Sequence, residues 1–128
     1  MSDESEIKVA IGRARTASSE LMALTEDPGK ARGNVLLELA INDLDIRITA
    51  IETVVSAPGR PILDGTANNL ANAVANVHRH LEKLQAITKP FKCKEDYDAC
   101  MADAGDNAAK VLCNLLFVVC LAQGFTTS

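Results

Sequence analysis

The sequence predicts an all-α fold, a single domain of residues 1–128 in which four or five antiparallel helices form a bundle and disulfides staple the C-terminal helical hairpin. Apolar residues recur at spacings of three and four along most of the chain, and no segment alternates as strands do. All four cysteines lie between residues 93 and 120, in two pairs of equal internal spacing. Short connections between such helices favour antiparallel neighbours.

The first three helices are predicted at residues 5–25, 30–56 and 65–88. They end at "DPG", "SAPGRP" and "TKPFK", because proline cannot continue a helix and glycine tolerates the turn that follows. Asp64 or Thr66 is the predicted N-cap of the third helix. The apolar faces of the first and third helices consist of Ile7, Ala10, Ile11, Ala14, Ala17, Leu21 and Leu24, and of Leu70, Val74, Val77, Leu81 and Leu84.

The second helix carries a regular heptad seam and two further apolar residues outside it. The seam has spacings of four and three in turn and consists of Leu37, Ile41, Leu44, Ile48, Ile51 and Val55. Leu39 and Ile46 lie away from the seam, so we expect this helix to contact neighbours on two sides, and self-association is one way to cover them. Glu38, Asp45 and Glu52 recur every seven residues, about 10.5 Å apart, which is too far for a shared proton or metal ion.

The cysteine region is predicted to form two shorter helices, at residues 94–104 and 107–122. The sequence "AGDN" between them is typical of a turn, and Asp106 or Asn107 can cap the second helix. The longest apolar run of the chain, the 12 residues "VLCNLLFVVCLA", lies in this second helix. Because a membrane span needs about 20 apolar residues, we expect a buried helix and no transmembrane segment.

The cysteine spacing predicts one pattern of disulfides. Seven residues of helix rise about 10.5 Å, whereas a disulfide needs Cα atoms within about 7 Å, so cysteines of the same helix cannot pair. In an antiparallel hairpin the residues nearest the turn meet first, which pairs Cys100 with Cys113. The outer residues, Cys93 and Cys120, then form the second bridge, and such bridges imply an oxidising compartment.

Two other states of the cysteines stay open. A single four-thiolate zinc or iron–sulfur site is disfavoured. Each sulfur would have to lie about 2.3 Å from the metal, whereas the two cysteines of one helix are about 10.5 Å apart. Two separate two-thiolate sites would suit Cu(I). Four reduced thiols buried in the core are the remaining alternative, since free cysteine packs as a small apolar residue.

Four asparagines within nine residues stand out in the third helix, because asparagine is a mediocre helix former. Asn69, Asn72 and Asn76 share a face. This face has two interpretations, an ordinary solvated surface or an uncharged hydrogen-bonding surface for a protein partner.

Composition and motifs argue against several classes of function. The net charge of −4, the pI of about 5.1 and the presence of four aromatic residues without tryptophan disfavour nucleic-acid binding. No phosphate-binding loop, hydrolase elbow or zinc-protease motif occurs. His78 and His80 lie about 200° apart on a helix and cannot share a metal ion. We therefore expect no enzyme activity, no cofactor and no metal site.

The predicted function is that of a small, non-catalytic helical module for protein binding or self-assembly, exported and stabilised by nested disulfides. The alternative is a carrier of a small apolar ligand or a soft metal ion in the bundle interior. The expected location is extracellular or periplasmic if the disulfides form, and cytoplasmic otherwise. Charged residues interrupt the first 20 residues, so they contain no apolar segment of a signal peptide, and a mature exported chain with an added methionine would have the same pattern.

Overall fold

A computed structural model describes residues 4–57, 59–84 and 92–126, and it contains no strand in these ranges. The helices are α1 (Glu4–Leu24), α2 (Val35–Ser56), α3 (Asp64–Glu82), α4 (Lys92–Asp103) and α5 (Asn107–Thr126). Two disulfides join α4 to α5. The predicted all-α bundle with a stapled C-terminal hairpin is confirmed.

Four of the helices form a ring in the order α1, α2, α3, α5, and α4 packs only against α5, on the outside of this ring. The helices α3 and α5 run in the same direction. Asn107 at the start of α5 donates a hydrogen bond to Asp64 at the start of α3, and His78 and Phe117 meet in their later halves. The helices α4 and α5 are therefore antiparallel, as predicted for helices joined by a short connection. Because α4 lies between α3 and α5 in the sequence and runs in the opposite direction, α5 lies parallel to α3.

The core is mostly aliphatic, with Phe117 and Phe125 of α5 as its buried aromatic residues, and it forms one cluster. The heptad seam of α2 lies inside it, with Leu37, Leu44, Ile48 and Ile51 fully buried. Burying one such side chain stabilises the fold by about 1.5–3 kcal/mol. The predicted faces of α1 and α3 are buried against this seam and against α5.

The second helix begins at Val35 and not at residue 30 as predicted, because hydrogen bonds close the preceding residues into a compact turn. Within this turn the N–H of Gly33 donates to the carbonyl oxygen of Thr25 at 3.2 Å. Gly33 has a φ of 80°, a conformation that residues with a side chain rarely adopt. Asn34 then caps α2, since its side-chain oxygen accepts a hydrogen bond from the N–H of Leu37 at 3.0 Å.

The predicted side-chain cap of α3 is wrong. Leu63 occupies the N-cap position without a side-chain hydrogen bond, and Asp64 lies inside the helix. The Asp64 carboxylate instead accepts a hydrogen bond from the Asn107 side chain at 2.7 Å, which joins the starts of α3 and α5. The cap predicted for α5 is present, because Asp106 accepts from the N–H of Ala109 at 2.8 Å.

Three helix ends also differ from the prediction. The third helix ends at Glu82, short of the predicted residue 88, and residues 85–88 lie outside the described part of the chain. The last helix continues four residues past the predicted end, to Thr126. The fourth helix begins two residues early, at Lys92, so that Cys93 lies within it.

Candidate functional site

The disulfides form the nested pattern that the spacing predicts. Cys100 pairs with Cys113 nearest the turn, with Cα atoms 5.8 Å apart. Cys93 pairs with Cys120 two turns further along, with Cα atoms 5.7 Å apart. Both separations lie within the range that a disulfide requires. The two bonds therefore hold α4 against α5 at two successive levels.

Little apolar packing holds α4 in place besides these bonds. Cys93 is its only buried residue, and Tyr97, Cys100 and Met101 are half-buried. The Tyr97 ring stacks on Phe117 of α5 with centroids 4.5 Å apart. The rest of α4 is exposed and mostly charged or small.

Asn114 is the polar residue at the centre of the hairpin, and it is 1% exposed. Its side-chain oxygen accepts a hydrogen bond from the Tyr97 hydroxyl at 3.0 Å, and its amide donates to the carbonyl oxygen of Lys110 at 2.8 Å. The helical pattern alone does not predict this role of Asn114. The available signal was one asparagine within the longest apolar run, since a buried amide needs partners.

An aromatic cluster joins α3 to this hairpin. His78 of α3 packs on Phe117 with ring centroids 5.2 Å apart, and its Nδ1 lies 3.1 Å from a carboxylate oxygen of Glu82. Burial lowers the pKa of His78; attraction to Glu82 opposes this shift and repulsion from Lys94 adds to it. Burial raises the pKa of Tyr97. The cluster is therefore packed with uncharged rings at neutral pH.

A cleft of about 190 Å³ lies beside both disulfides. Its lining consists of Cys93, Asp96, Tyr97, Cys100, Cys113, Leu116, Phe117 and Cys120. All four sulfurs are bonded in pairs, so thiolate ligands for a soft metal ion are absent in this oxidised state. The described residues also contain no cluster of histidine, cysteine and carboxylate side chains that would hold a metal ion.

The asparagine face of α3 lies mainly in solvent. Asn69 and Asn72 are exposed, and Asn76 is half-buried and accepts a hydrogen bond from the Arg79 guanidinium. The structure brings the three residues to one surface, as the helical spacing predicts. Its role as a partner surface stays a prediction.

The acidic flank of α2 is used for packing against α1. The guanidinium of Arg15 lies 3.2 Å from Asp45 and 2.8 Å from Glu52, and it also donates to Thr49 at 2.9 Å. These side chains are at least one third exposed, so we expect the pairs to contribute little individually. The network joins the surfaces of α1 and α2.

The outward side of α2 carries exposed apolar residues, which we call the α2 outer row. Its members, each between 58% and 64% exposed, are Val35, Leu36, Leu39 and Ile46. The two apolar residues that the sequence placed outside the seam are therefore uncovered on the face opposite the core. Asn42 and Asp43 stand between Leu39 and Ile46 in this row, and Asp43 forms a salt bridge with Arg47.

A second apolar surface lies between α1 and α5. It is an open groove of about 380 Å³ lined by Val9, Ala10, Leu112 and Leu116, with Arg13 and other polar residues at its edges. Val9 is 63% exposed and Leu116 is 38% exposed.

One segment, Asn107–Phe125 of α5, is long and apolar enough to cross a membrane when judged by length and composition alone. In the bundle this segment is 56% buried, and it packs against α1, α3 and α4. Central helices of bundles have the same composition, so this finding is weak evidence for a membrane span.

No family model matches the chain, and the comparisons with curated proteins and with solved structures give no match either.

Proposed function

We propose that this protein is a non-catalytic assembly module that associates with a second copy of itself through the α2 outer row, in an oxidising compartment outside the cytoplasm. The observation that carries the proposal is the outer row itself. Leu39 and Ile46 are seven residues apart and Val35 precedes Leu39 by four, so the three form one stripe on the helix. Exposed apolar side chains that share one helix face, here with the exposed Asn42 between Leu39 and Ile46, are a feature of interaction sites.

A second copy is the occupant that this stripe fits best. A heptad-spaced stripe packs most closely against another helix with the same spacing. If two α2 helices pair antiparallel about a two-fold axis between residues 42 and 43, Leu39 of one copy lies opposite Ile46 of the other. The same register places Val35 opposite Ala50, which is exposed. Such a contact is self-complementary and closes at two copies.

The location outside the cytoplasm is supported by the two disulfides. Disulfides persist in secreted and periplasmic proteins and are rare where glutathione keeps thiols reduced. We therefore propose that the module acts in the extracellular space or the periplasm.

Light scattering coupled to size-exclusion chromatography tests the proposal. We expect the oxidised wild-type protein to be a dimer, and Leu39→Lys with Ile46→Lys to give a monomer with unchanged helical circular dichroism, because both lysines would meet across the interface. Val9→Lys, which adds one charge where the α2 variant adds two, lies at an equally exposed residue of α1; it is the control and should stay dimeric. A monomeric wild-type protein, or dissociation by Val9→Lys as well, would contradict the proposal.

The groove between α1 and α5 supports a second candidate function, transport of a small apolar ligand. Its aliphatic lining by Val9, Leu112 and Leu116 would hold a ligand without hydrogen bonds. Native mass spectrometry of the purified protein with a medium-chain fatty acid distinguishes the two functions. Ligand binding that Val9→Lys abolishes and the α2 variant leaves unchanged would favour the carrier. A dimer that the α2 variant dissociates and Val9→Lys leaves intact would favour assembly. A soft metal ion would first require reduction of the disulfides.

A further inference from the structure

We propose that the two disulfides act as a redox-sensitive clasp, whose reduction releases α4 from the bundle while the other four helices stay folded. This inference goes beyond the proposed function, because it concerns a conformational change within one chain. It rests on three observations: how α4 is attached, what α4 covers, and how a reductant reaches the sulfurs.

The attachment of α4 depends mainly on sulfur. It packs against α5 alone, whereas each of the other four helices contacts at least two neighbours. It has 12 residues, and Cys93, which itself belongs to a disulfide, is its only buried residue. An isolated helix of this length is marginal in water, so a released α4 would lose its helical structure.

The surface under α4 differs from an ordinary solvent-facing helix. The residues that α4 contacts on α5 include Asn114 and Phe117, which are 1% and 5% exposed. Release of α4 removes the Tyr97 ring from Phe117 and the Tyr97 hydroxyl from Asn114. It therefore exposes the Phe117 ring and the Asn114 amide, and a change in the surroundings of either side chain would report the release of α4.

The sulfurs are within reach of a reductant. All four cysteines line the cleft beside the hairpin, and each bridge has one partly exposed cysteine, Cys100 or Cys120, and one buried cysteine. Each S–S bond accepts two electrons and two protons from a dithiol reductant, which becomes a disulfide, and two bonds consume two dithiol molecules. The products are four thiols on this chain, and an oxidised dithiol reverses the step.

Hydrogen exchange followed by mass spectrometry on the full chain tests the clasp. With dithiothreitol we expect amides of Lys92–Asp103 to exchange at least about tenfold faster, while peptides from α2 keep their protection. Removing the reductant and adding oxidised dithiothreitol should restore the protection of α4. Loss of protection at the same rate in α2 would overturn the proposal, because the disulfides would then hold the whole fold together. Unchanged protection of α4 after complete reduction would overturn it as well.

A variant without any cysteine provides the same test without reductant. Replacing all four cysteines with alanine should leave the far-ultraviolet circular dichroism signal reduced only by the contribution of α4. Its α4 should exchange like that of the reduced wild type, and dithiothreitol should have no further effect. An unfolded variant would contradict the claim that the other four helices are stable on their own.

Discussion

Two regions of this molecule are held in place by different kinds of interaction. The four helices α1, α2, α3 and α5 are held by aliphatic side chains that are almost completely removed from water, such as Leu44 and Leu70. The helix α4 has hardly any such side chain and is held by two covalent bonds, one stacked ring and one buried hydrogen bond. A small, charged helix can therefore be an ordered part of a protein without contributing much to its core.

The largest difference between the regions is expected from a truncation in the bundle core. Leu44→Ala should lower the free energy of unfolding by about 2–5 kcal/mol, because Leu44 is fully buried and leaves a cavity. Leu39→Ala on the same helix is the matched control and should change it by less than about 0.5 kcal/mol, since Leu39 is 58% exposed. Denaturant unfolding at a protein concentration low enough for both variants to be monomeric measures both values, because Leu39 belongs to the proposed dimer contact. Equal effects would mean that α2 does not face the core as described.

Loss of the inner disulfide is the corresponding change in the hairpin. Cys100→Ala together with Cys113→Ala should lower the free energy of unfolding by up to about 3 kcal/mol, the loop-closure value for about 15 residues. The remaining outer bridge already restricts the unfolded chain, so the measured loss should lie below this limit. Denaturant unfolding before and after reduction measures the contribution of each bridge. A loss of stability that persists between variant and wild type after full reduction would show that alanine itself, and not the lost bond, is responsible.

A smaller effect is expected at the buried hydrogen bond. Tyr97→Phe removes the hydroxyl that donates to Asn114 and keeps the ring that stacks on Phe117. We expect a loss of about 1 kcal/mol, because the Asn114 oxygen is left without its donor. Hydrogen exchange of α4 should detect the change more clearly than global unfolding does. If Tyr97→Phe matched the wild type in α4 protection, the hydrogen bond would not help to hold this helix.

The smallest expected effect is a pH dependence that comes from His78. Burial lowers its pKa in the folded protein, so as pH falls below about 6.5 the unfolded chain binds a proton first. The stabilisation is fully present above the unfolded pKa and is lost as pH falls toward the folded pKa. We expect the free energy of unfolding to decrease more between pH 7 and about pH 5 in the wild type than in His78→Gln. Parallel pH profiles of the two proteins would contradict this assignment.

The structure agrees with the prediction from the sequence where a periodic pattern or a distance limit decides it. The spacing of the cysteines fixes which sulfurs meet once both segments are helical, and the stripe from Leu37 to Val55 fixes the buried face of α2. The prediction is wrong where a local hydrogen bond competes with the helical pattern of the sequence. Asn34 starts α2 later than its composition suggests, and Asp64 binds Asn107 and so does not cap its own helix. Such choices depend on neighbours that are distant in the sequence.

The residues of the candidate site also divide into those that a helical pattern predicts and those that depend on tertiary packing. The spacing indicated the asparagine face of α3 and the spare apolar residues of α2, because both are helical patterns. The partners of Asn114 and the contact of His78 with Phe117 were not predictable, since they depend on how α3, α4 and α5 pack together. The parallel course of α3 and α5 was not predictable either, because it depends on the position of α4 outside the ring.

The central claim, that α4 is held by two specific sulfur–sulfur bonds, is tested most directly by mapping the disulfides of the native protein. After free thiols are blocked at acidic pH, trypsin cuts after Lys94 and Lys110 and chymotrypsin cuts after Phe117, so that each cysteine lies on its own peptide. The account predicts that mass spectrometry finds one peptide pair linking Cys93 to Cys120 and another linking Cys100 to Cys113. Blocked thiols at these positions, or peptides that link Cys93 to Cys113, would contradict it.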